Sequence, residues 1–301
     1  MPPDPFRSVR PGSSIFPRFR RTMCAPEQRH GRWTMDKPPW WATGVDLNKP
    51  SSARVYDVHL GGSHNFEVDR EVAEAASRLM PTLPAVLRAN RSFLRRAVRY
   101  LAGQGITQFL DLGSGIPTVG NVHEIAQREN PECRIVYVDN DLIAVAHSRS
   151  LLEGNDRAEA VRADLRYPDE VLGHPEVAAM LDLRQPVAVL MFAVLHFVAD
   201  EDEPAAIVAR YVEEIAPGSY VAISHACSDH VDESTMQAAE LYSRRIGGFH
   251  MRPTERIAEF FTGLSLVEPG LVDLTEWRPD SPRQPQDEKL WTGPGGVGRK
   301  P

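Results

Sequence analysis

Two short apolar runs, each ending in an acid, constrain this chain more than any other feature. Residues 108–115 read Gln-Phe-Leu-Asp-Leu-Gly-Ser-Gly, and residues 134–141 read Arg-Ile-Val-Tyr-Val-Asp-Asn-Asp. The first has the pattern of a strand that carries Asp111 and breaks at Gly113 and Gly115. The second has the pattern of a strand that stops at Asp139. Between them lies enough chain for one helix. Strand, glycine turn, helix, strand and acid make a βαβ unit, which implies a parallel sheet with its ligand at the carboxyl ends of the strands. Glycines let the backbone come close to that ligand. Asp139 can accept both hydrogen bonds of a ribose diol, so a nucleoside is expected, with Ser114 and Asn140 beside it.

A dinucleotide site has a third glycine, with a diphosphate on the helix N-terminus. Here that position is Thr118, and the turn runs on through Pro117 to Gly120 and Asn121. Asn121 and Glu124 have the spacing of a capping box. A carboxylate at the helix entrance disfavours a diphosphate and tolerates a cation. S-adenosylmethionine has a ribose, a sulfonium and no phosphate. It suits the turn better than NAD, so an NAD-dependent oxidoreductase is the weaker reading.

Charge is unevenly spread. Residues 1–37 hold eight Lys/Arg and three Asp/Glu, which leaves 26 basic and 38 acidic residues in the remainder. An acidic body is a poor partner for nucleic acid or anionic lipid, so neither is expected. No apolar run approaches the roughly 20 residues of a membrane span. Cys24, Cys133 and Cys227 are scattered and form no C-x-x-C pair. That pattern suits a reducing cytoplasm, with neither a zinc site nor a disulfide framework.

The expected organisation is a basic, disordered extension over residues 1–44, one domain over 45–278 and a loose Pro/Gly-rich tail over 279–301. Translation starting at Met35 or Met23 would leave the basic head unmade. Within the domain, residues 45–84 read as a helical lid broken at Gly61-Gly62, and 229–252 as a helical insert on the substrate side. A helix is expected over 85–102. Leu87, Leu94, Val98 and Leu101 share one of its faces; Arg88, Arg91, Arg95 and Arg99 share another. The arginine stripe reads as a solvated face, except that Arg91 lies nearest the apolar edge and could reach a ligand carboxylate. Val187–Phe192 reads as a buried central strand. The acids of 200–203 precede Pro204, where they would complement a helix dipole. Leu264–Glu268 and Leu271–Leu274 flank Pro269-Gly270 and read as a hairpin. The fold class is therefore α/β and Rossmann-like, with about seven strands, parallel apart from an antiparallel hairpin at one edge.

Beyond these patterns, the chain resembles an actinobacterial family of S-adenosylmethionine-dependent methyltransferases formerly known as a domain of unknown function. The likeness is carried by Pro50-Ser-Ser-Ala-Arg-Val-Tyr-Asp57, Leu60-Gly-Gly-Ser-His-Asn-Phe66, Asp69-Arg70 and Arg88-Ala-Asn-Arg-Ser-Phe-Leu-Arg-Arg-Ala97. It continues through Phe109–Thr118, Asn121–Glu124, Val136–Asp141, Ala163–Arg166, Val194–Phe197, Ala216–Tyr220, Ser224–Ala226 and Leu266–Gly270. Val58-His59 and Ser63-His64 depart from the family pattern. The resemblance implies a class I methyltransferase fold over about residues 45–280. It also implies that Asp164 meets the adenine amino group and the amide of Leu165 a ring nitrogen. Asp164 could instead cap the helix before Tyr167-Pro168, and Asp111 could serve as an internal loop partner.

Methyl transfer rests largely on alignment and desolvation, so an acid–base residue is not obligatory. His196 and His225, each just past a strand, are the candidates should a base be used; each could equally hold a loop. At the lid, Asn65 is expected at the cofactor's amino-acid group and Arg91 at its carboxylate, with a plain inter-helix turn as the alternative. Two functional readings stay open: transfer of a methyl group to a small-molecule acceptor, and a non-catalytic S-adenosylmethionine-binding regulatory or partner protein. No metal site is expected, and no oligomeric state follows from the sequence.

Overall fold

The computed structural model describes residues 46–117, 120–229, 231–281 and 292–301. The basic extension expected over 1–44 lies outside them. Three helices come first: α1 (Ser52–His59), α2 (Glu67–Leu79) and α3 (Leu83–Gly103). The alternating part follows as β1 (Gln108–Leu112), α4 (Val122–Glu129), β2 (Arg134–Asp139), α5 (Leu142–Leu151) and β3 (Ala158–Arg162). Two short helices, α6 (Pro168–Leu172) and α7 (Pro175–Met180), lead to β4 (Ala188–Phe192), α8 (Pro204–Glu214) and β5 (Tyr220–Ser224). The chain ends with α9 (Glu233–Tyr242), α10 (Thr254–Ala258), β6 (Ser265–Leu266), β7 (Val272–Asp273) and β8 (Pro294–Arg299).

Among the described residues the sheet has eight strands, in the order β3-β2-β1-β4-β5-β8-β6, with β7 also on β8. The first five are parallel. Strands β1, β4 and β5 are buried along their whole length, because helices cover both faces. Alternation along β1 splits the core: Phe109 joins the layer under α3, α4 and α5, and Leu110 joins the layer under α6, α7, α8 and α10. Helix α3 buries Leu94, Val98 and Leu101 of the expected face together with Phe93 and Ala97, while Leu87 is half-buried.

Two expectations about the carboxyl-terminal end are corrected. There is no hairpin at Pro269-Gly270; β6 and β7 lie end to end along β8, each antiparallel to it. The tail is not loose where it is described, since β8 also pairs with β5 from Tyr220↔Arg299 to Ser224↔Gly295. Its glycines serve packing. A Cβ on Gly295 would sit 2.6 Å from Leu274 Cδ2 and 2.7 Å from Phe93 Cε1, and one on Gly298 would sit 2.9 Å from Leu264 Cβ. Proline is confined to the first residue of the strand, where a missing N–H is tolerated.

The glycine pair before α2 also has a local cause. Asp57, fully buried on α1, accepts hydrogen bonds through Oδ2 from the His64 amide (2.9 Å) and Asn65 Nδ2 (2.8 Å). A Cβ on Gly62 would lie 1.9 Å from Asp57 Oδ1, and Gly61 has φ +79°. The turn is held by its own carboxylate. Arg54 then ties α1 to α2 through a buried ion pair with Asp69 (2.9 Å). Val55, Val72 and Ala73 pack with Tyr242 and Ile246, so lid and insert share a small apolar cluster. No helix among the described residues is long and apolar enough to cross a membrane.

Candidate functional site

The parallel strands end together on one side of the sheet, and a cavity of about 750 Å³ opens there. Nine of the ten residues expected around a cofactor line it: Arg91, Asp111, Gly113, Ser114, Gly115, Asp139, Asn140, Asp164 and Leu165. Asn65 does not. Its Nδ2 donates to Asp57 and to the Gly62 carbonyl (3.0 Å), and its Oδ1 accepts from Arg70 (3.0 Å). Asn65 lies outside the lining of this cavity, with its amide hydrogens committed to the turn.

The turn after β1 holds its shape through Asp139. Asp139 Oδ2 accepts the Gly115 amide at 2.7 Å, and Oδ1 accepts the Asp141 amide at 2.8 Å. Asp139 lines the cavity, so its carboxylate can still accept from a ligand there. Gly113 has φ +70°, and a Cβ there would lie 2.2 Å from Val194 Cγ2; Gly115 has φ +66° and open space where a Cβ would be. One glycine is required by packing against the loop after β4, and the other leaves room in the cavity. Asn121, Glu124 and α4 follow as the capping spacing implied, with the Asn121 amide donating to Glu124 Oε2 at 2.9 Å.

Burial pushes the Asp111 carboxyl up to about 7, against the Arg91 charge and with help from Asp139. Burial likewise raises Asp139 to about 6, partly offset by backbone amides of Asp141, Gly115 and Asn140. Asp164 goes the other way. Burial would raise it, but hydrogen bonds from Arg166, at 2.7–3.1 Å, outweigh that and lower it. Arg91 Nη2 donates to the Gly120 carbonyl at 2.9 Å.

Residues 46–56 form the rim opposite, and sequence reasoning assigned them no site role. Ser51 Oγ donates to Asp141 Oδ2, and Arg54 Nη1 lies 3.9 Å from the same oxygen. Asp141 Oδ1 meanwhile caps α5 at the Ile143 amide (2.7 Å). One carboxylate thus joins the lid to the strand end that carries Asp139. The acid doublet Asp139-Asn140-Asp141 was the available signal.

A second cavity of about 340 Å³ adjoins the first, and the two share Ser52, Tyr56, Asn90, Ala193 and Phe197. At this neck Ser224 Oγ donates to Asn90 Oδ1 (2.6 Å), Asn90 Nδ2 donates to Tyr56 Oη (3.0 Å), and Tyr56 Oη donates to the Leu87 carbonyl (3.3 Å). Ala193, at φ +52°, holds a left-handed conformation that a side chain disfavours; its amide donates to Ser224 Oγ at 2.9 Å.

Both candidate histidines line the second cavity. His225 is committed on both sides of its ring: Nδ1 donates to the Ala226 carbonyl (2.7 Å), and Nε2 accepts from Arg252 Nη1 (3.0 Å). It has no lone pair left to act as a base. His196 Nδ1 accepts the Ala226 amide at 3.3 Å, so its proton sits on Nε2, which has no protein partner among the described residues. Burial lowers both, His225 to about 4 and His196 well below its ordinary value. Behind them the buried Arg252 donates to Leu195 O (3.0 Å), Val198 O (2.7 Å) and Asp200 Oδ1 (2.7 Å). Asp200 therefore serves Arg252, and Asp202 pairs with Arg166 (3.3 Å). Of that acidic run Glu203 is the N-cap residue of α8, at the end of the helix dipole, and it makes no side-chain cap hydrogen bond. Among the described residues no group of three or more His, Cys, Asp or Glu could hold a metal.

A parallel sheet with a glycine turn, a strand-end acid and an adjoining second cavity defines a nucleoside-binding α/β protein with room for another molecule. The chain belongs to the S-adenosyl methyltransferase family, whose model matches residues 39–301. Its cofactor is accordingly S-adenosylmethionine. A candidate methyltransferase from Thermobifida fusca YX is similar at 39% identity and TM-score 0.82, over 89% of this chain and 99% of that one. A DUF574 family protein from Streptomyces avermitilis MA-4680 is similar at 41% identity and TM-score 0.81, over 86% and 100%. No functionally curated protein matches the chain in sequence.

Proposed function

We propose that the protein transfers a methyl group from S-adenosylmethionine to a small-molecule acceptor held in the second cavity. The carrying observation is the neck of Tyr56, Asn90 and Ala193, which belongs to both cavities. The residues present fit the cofactor. Asp139 lines the cavity with its carboxylate, Gly115 leaves space for a nucleoside, and Asp111 beside Arg91 offers an acid for an ammonium and a guanidinium for a carboxylate. Asp164 and the Leu165 amide stand on the wall after β3, where an adenine edge would lie. When bound, S-adenosylmethionine would supply a sulfonium methyl group: an acceptor lone pair would bond to the methyl carbon as the C–S bond breaks, its electron pair leaving with the thioether sulfur, and the acceptor's proton would pass to solvent water at the cavity mouth.

The chain's own contribution is to bind, align and exclude water. Val194 and Phe197 close the cofactor cavity from the β4 side. The Ser224–Asn90–Tyr56 relay fixes the polar edge of the neck, and the Ala193 backbone is clamped against it. Neither histidine accepts the acceptor's proton, because one is fully bonded and the other carries its proton on the open nitrogen. Incubation with methyl-labelled S-adenosylmethionine and a fractionated extract of the source cells tests this reading. Label should enter the small-molecule fraction. Label confined to macromolecules, or no transfer from a chain that binds the cofactor, overturns it.

A further inference from the structure

The second cavity has a composition that selects among acceptors. Its inner wall is aromatic: Phe249 lies 4.8 Å from His196, 5.6 Å from Phe197 and 5.5 Å from Tyr242, ring centre to ring centre. Leu83, Val86 and Leu87 of α3 face it across the space. Such walls favour a flat ring system, which can stack or meet edges at these separations.

Among the described residues no free charge faces the inner wall of the cavity: Asp232, the one charged carboxylate in its lining, is exposed to solvent. Arg252 is closed on two carbonyls, Asp200 and His225. Asp232 caps α9, accepting the Thr235 amide (2.8 Å), Thr235 Oγ1 (2.7 Å) and Ser234 Oγ (2.8 Å). His196 and His225 are neutral by their hydrogen bonds. A ligand that brought a full charge to the inner wall, beside His196 and Phe249, would bury it without a partner, which is strongly unfavourable. Two polar atoms, one at the aromatic wall and one at the neck, can anchor a neutral ligand. His196 Nε2–H points to an acceptor. Tyr56 Oη takes one hydrogen bond from Asn90 and has a second lone pair at the neck.

We infer that the acceptor is a neutral, flat aromatic or heteroaromatic molecule of two or three rings, anchored by a hydrogen bond from His196 Nε2–H. Its O–H or N–H lies at the neck on Tyr56 Oη, so that the atom to be methylated faces the cofactor cavity. This rests on the methyltransferase reading above and names the class of molecule for that site. The cavity volume of about 340 Å³ accommodates such a molecule.

The test is ligand-observed NMR and calorimetry on the full chain saturated with S-adenosylhomocysteine. The probes are quinolin-6-ol, which is neutral with a ring nitrogen, 2-naphthol, which lacks that nitrogen, 2-naphthoate and 2-naphthylmethylammonium. Quinolin-6-ol should bind at least about tenfold tighter than either charged probe. His196→Phe keeps an aromatic ring and removes the donor, and should abolish the preference for quinolin-6-ol over 2-naphthol, a change of about tenfold. If that variant no longer binds S-adenosylhomocysteine, Ala238→Trp replaces it; filling the cavity from α9 should weaken quinolin-6-ol at least about tenfold. Charged probes binding as well as neutral ones, no probe binding, or a preference that survives His196→Phe overturns the inference while leaving the cofactor reading intact. Failure of the wild-type chain to bind S-adenosylhomocysteine overturns both.

Discussion

At the scale of single residues, Asp111 and Asp139 carry the most distinctive chemistry. Both are carboxyls raised by burial at the cofactor cavity. For Asp111 the folded value of about 7 exceeds the ordinary carboxyl value of 3.8, so between those pH values the folded state binds the extra proton. Its contribution to stability therefore falls as pH rises through that window, and above it the buried charge is a net penalty. Asp111→Asn should raise the melting temperature of the cofactor-free protein at pH 8, by about 2–4 °C for each kcal/mol recovered, with the gain shrinking toward pH 5. The same variant should weaken S-adenosylmethionine by about 1.5–3 kcal/mol, because a charged partner for the ammonium is lost. Thermal melts at the two pH values check the first half and calorimetry the second. A variant less stable than wild type at pH 8 would contradict the assignment of Asp111 as a group held for a ligand.

At the scale of elements, the pieces legible from sequence were those whose cause is local. Strands β1, β2 and β4, helix α3 and the capping box at α4 follow from periodicity and spacing within a few residues of each. Asp139 was legible because strand end, glycine turn and acid coincide. What escaped depends on distant partners. The Asp57 carboxylate that demands Gly62 is itself a buried polar residue on a helix, and nothing in Gly61-Gly62 names it. The glycines of β8 looked like loop composition, yet they are set by Phe93 and Leu274, far away in the chain. The role of Asp200 could not be read without Arg252, 52 residues later.

Two consequences follow at this scale. Gly62→Ala should destabilise the protein by about 1–3 kcal/mol, since a methyl group displaces the Asp57 carboxylate from its two donors. Urea denaturation with an unchanged midpoint would show that the turn yields freely. Removing residues 293–301 strips β5, β6 and β7 of their shared partner. The shortened chain should lose cooperative unfolding or several kcal/mol of stability; retention of the full midpoint would mean that β8 is dispensable.

At the scale of the whole molecule, the first helices and the carboxyl ends of the strands line two joined cavities, and five histidines of the domain are held neutral by burial. His59, His123, His147, His196 and His225 all lie below the ordinary histidine value for that first reason. On unfolding each takes up a proton below about pH 6.5. The stability they permit is complete above that pH and is lost as pH falls from about 6.5 toward the folded values, which for His59 and His225 are about 4. Asp111 and Asp139 oppose this, but two groups stand against five. The urea midpoint should fall steadily from pH 7 to pH 5; a midpoint that rises over that interval would mean these rings are not buried neutral.

The most direct test of the account is calorimetric titration of the full chain with S-adenosylmethionine and with NAD, repeated on Asp139→Ala. S-adenosylmethionine should bind at one site and NAD should not. Asp139→Ala should weaken the cofactor by about 2–3 kcal/mol, because the ribose loses two charge-assisted hydrogen bonds and the Gly115 turn loses its tie. NAD binding as tightly as S-adenosylmethionine, or an affinity for S-adenosylmethionine unchanged in Asp139→Ala, would contradict it.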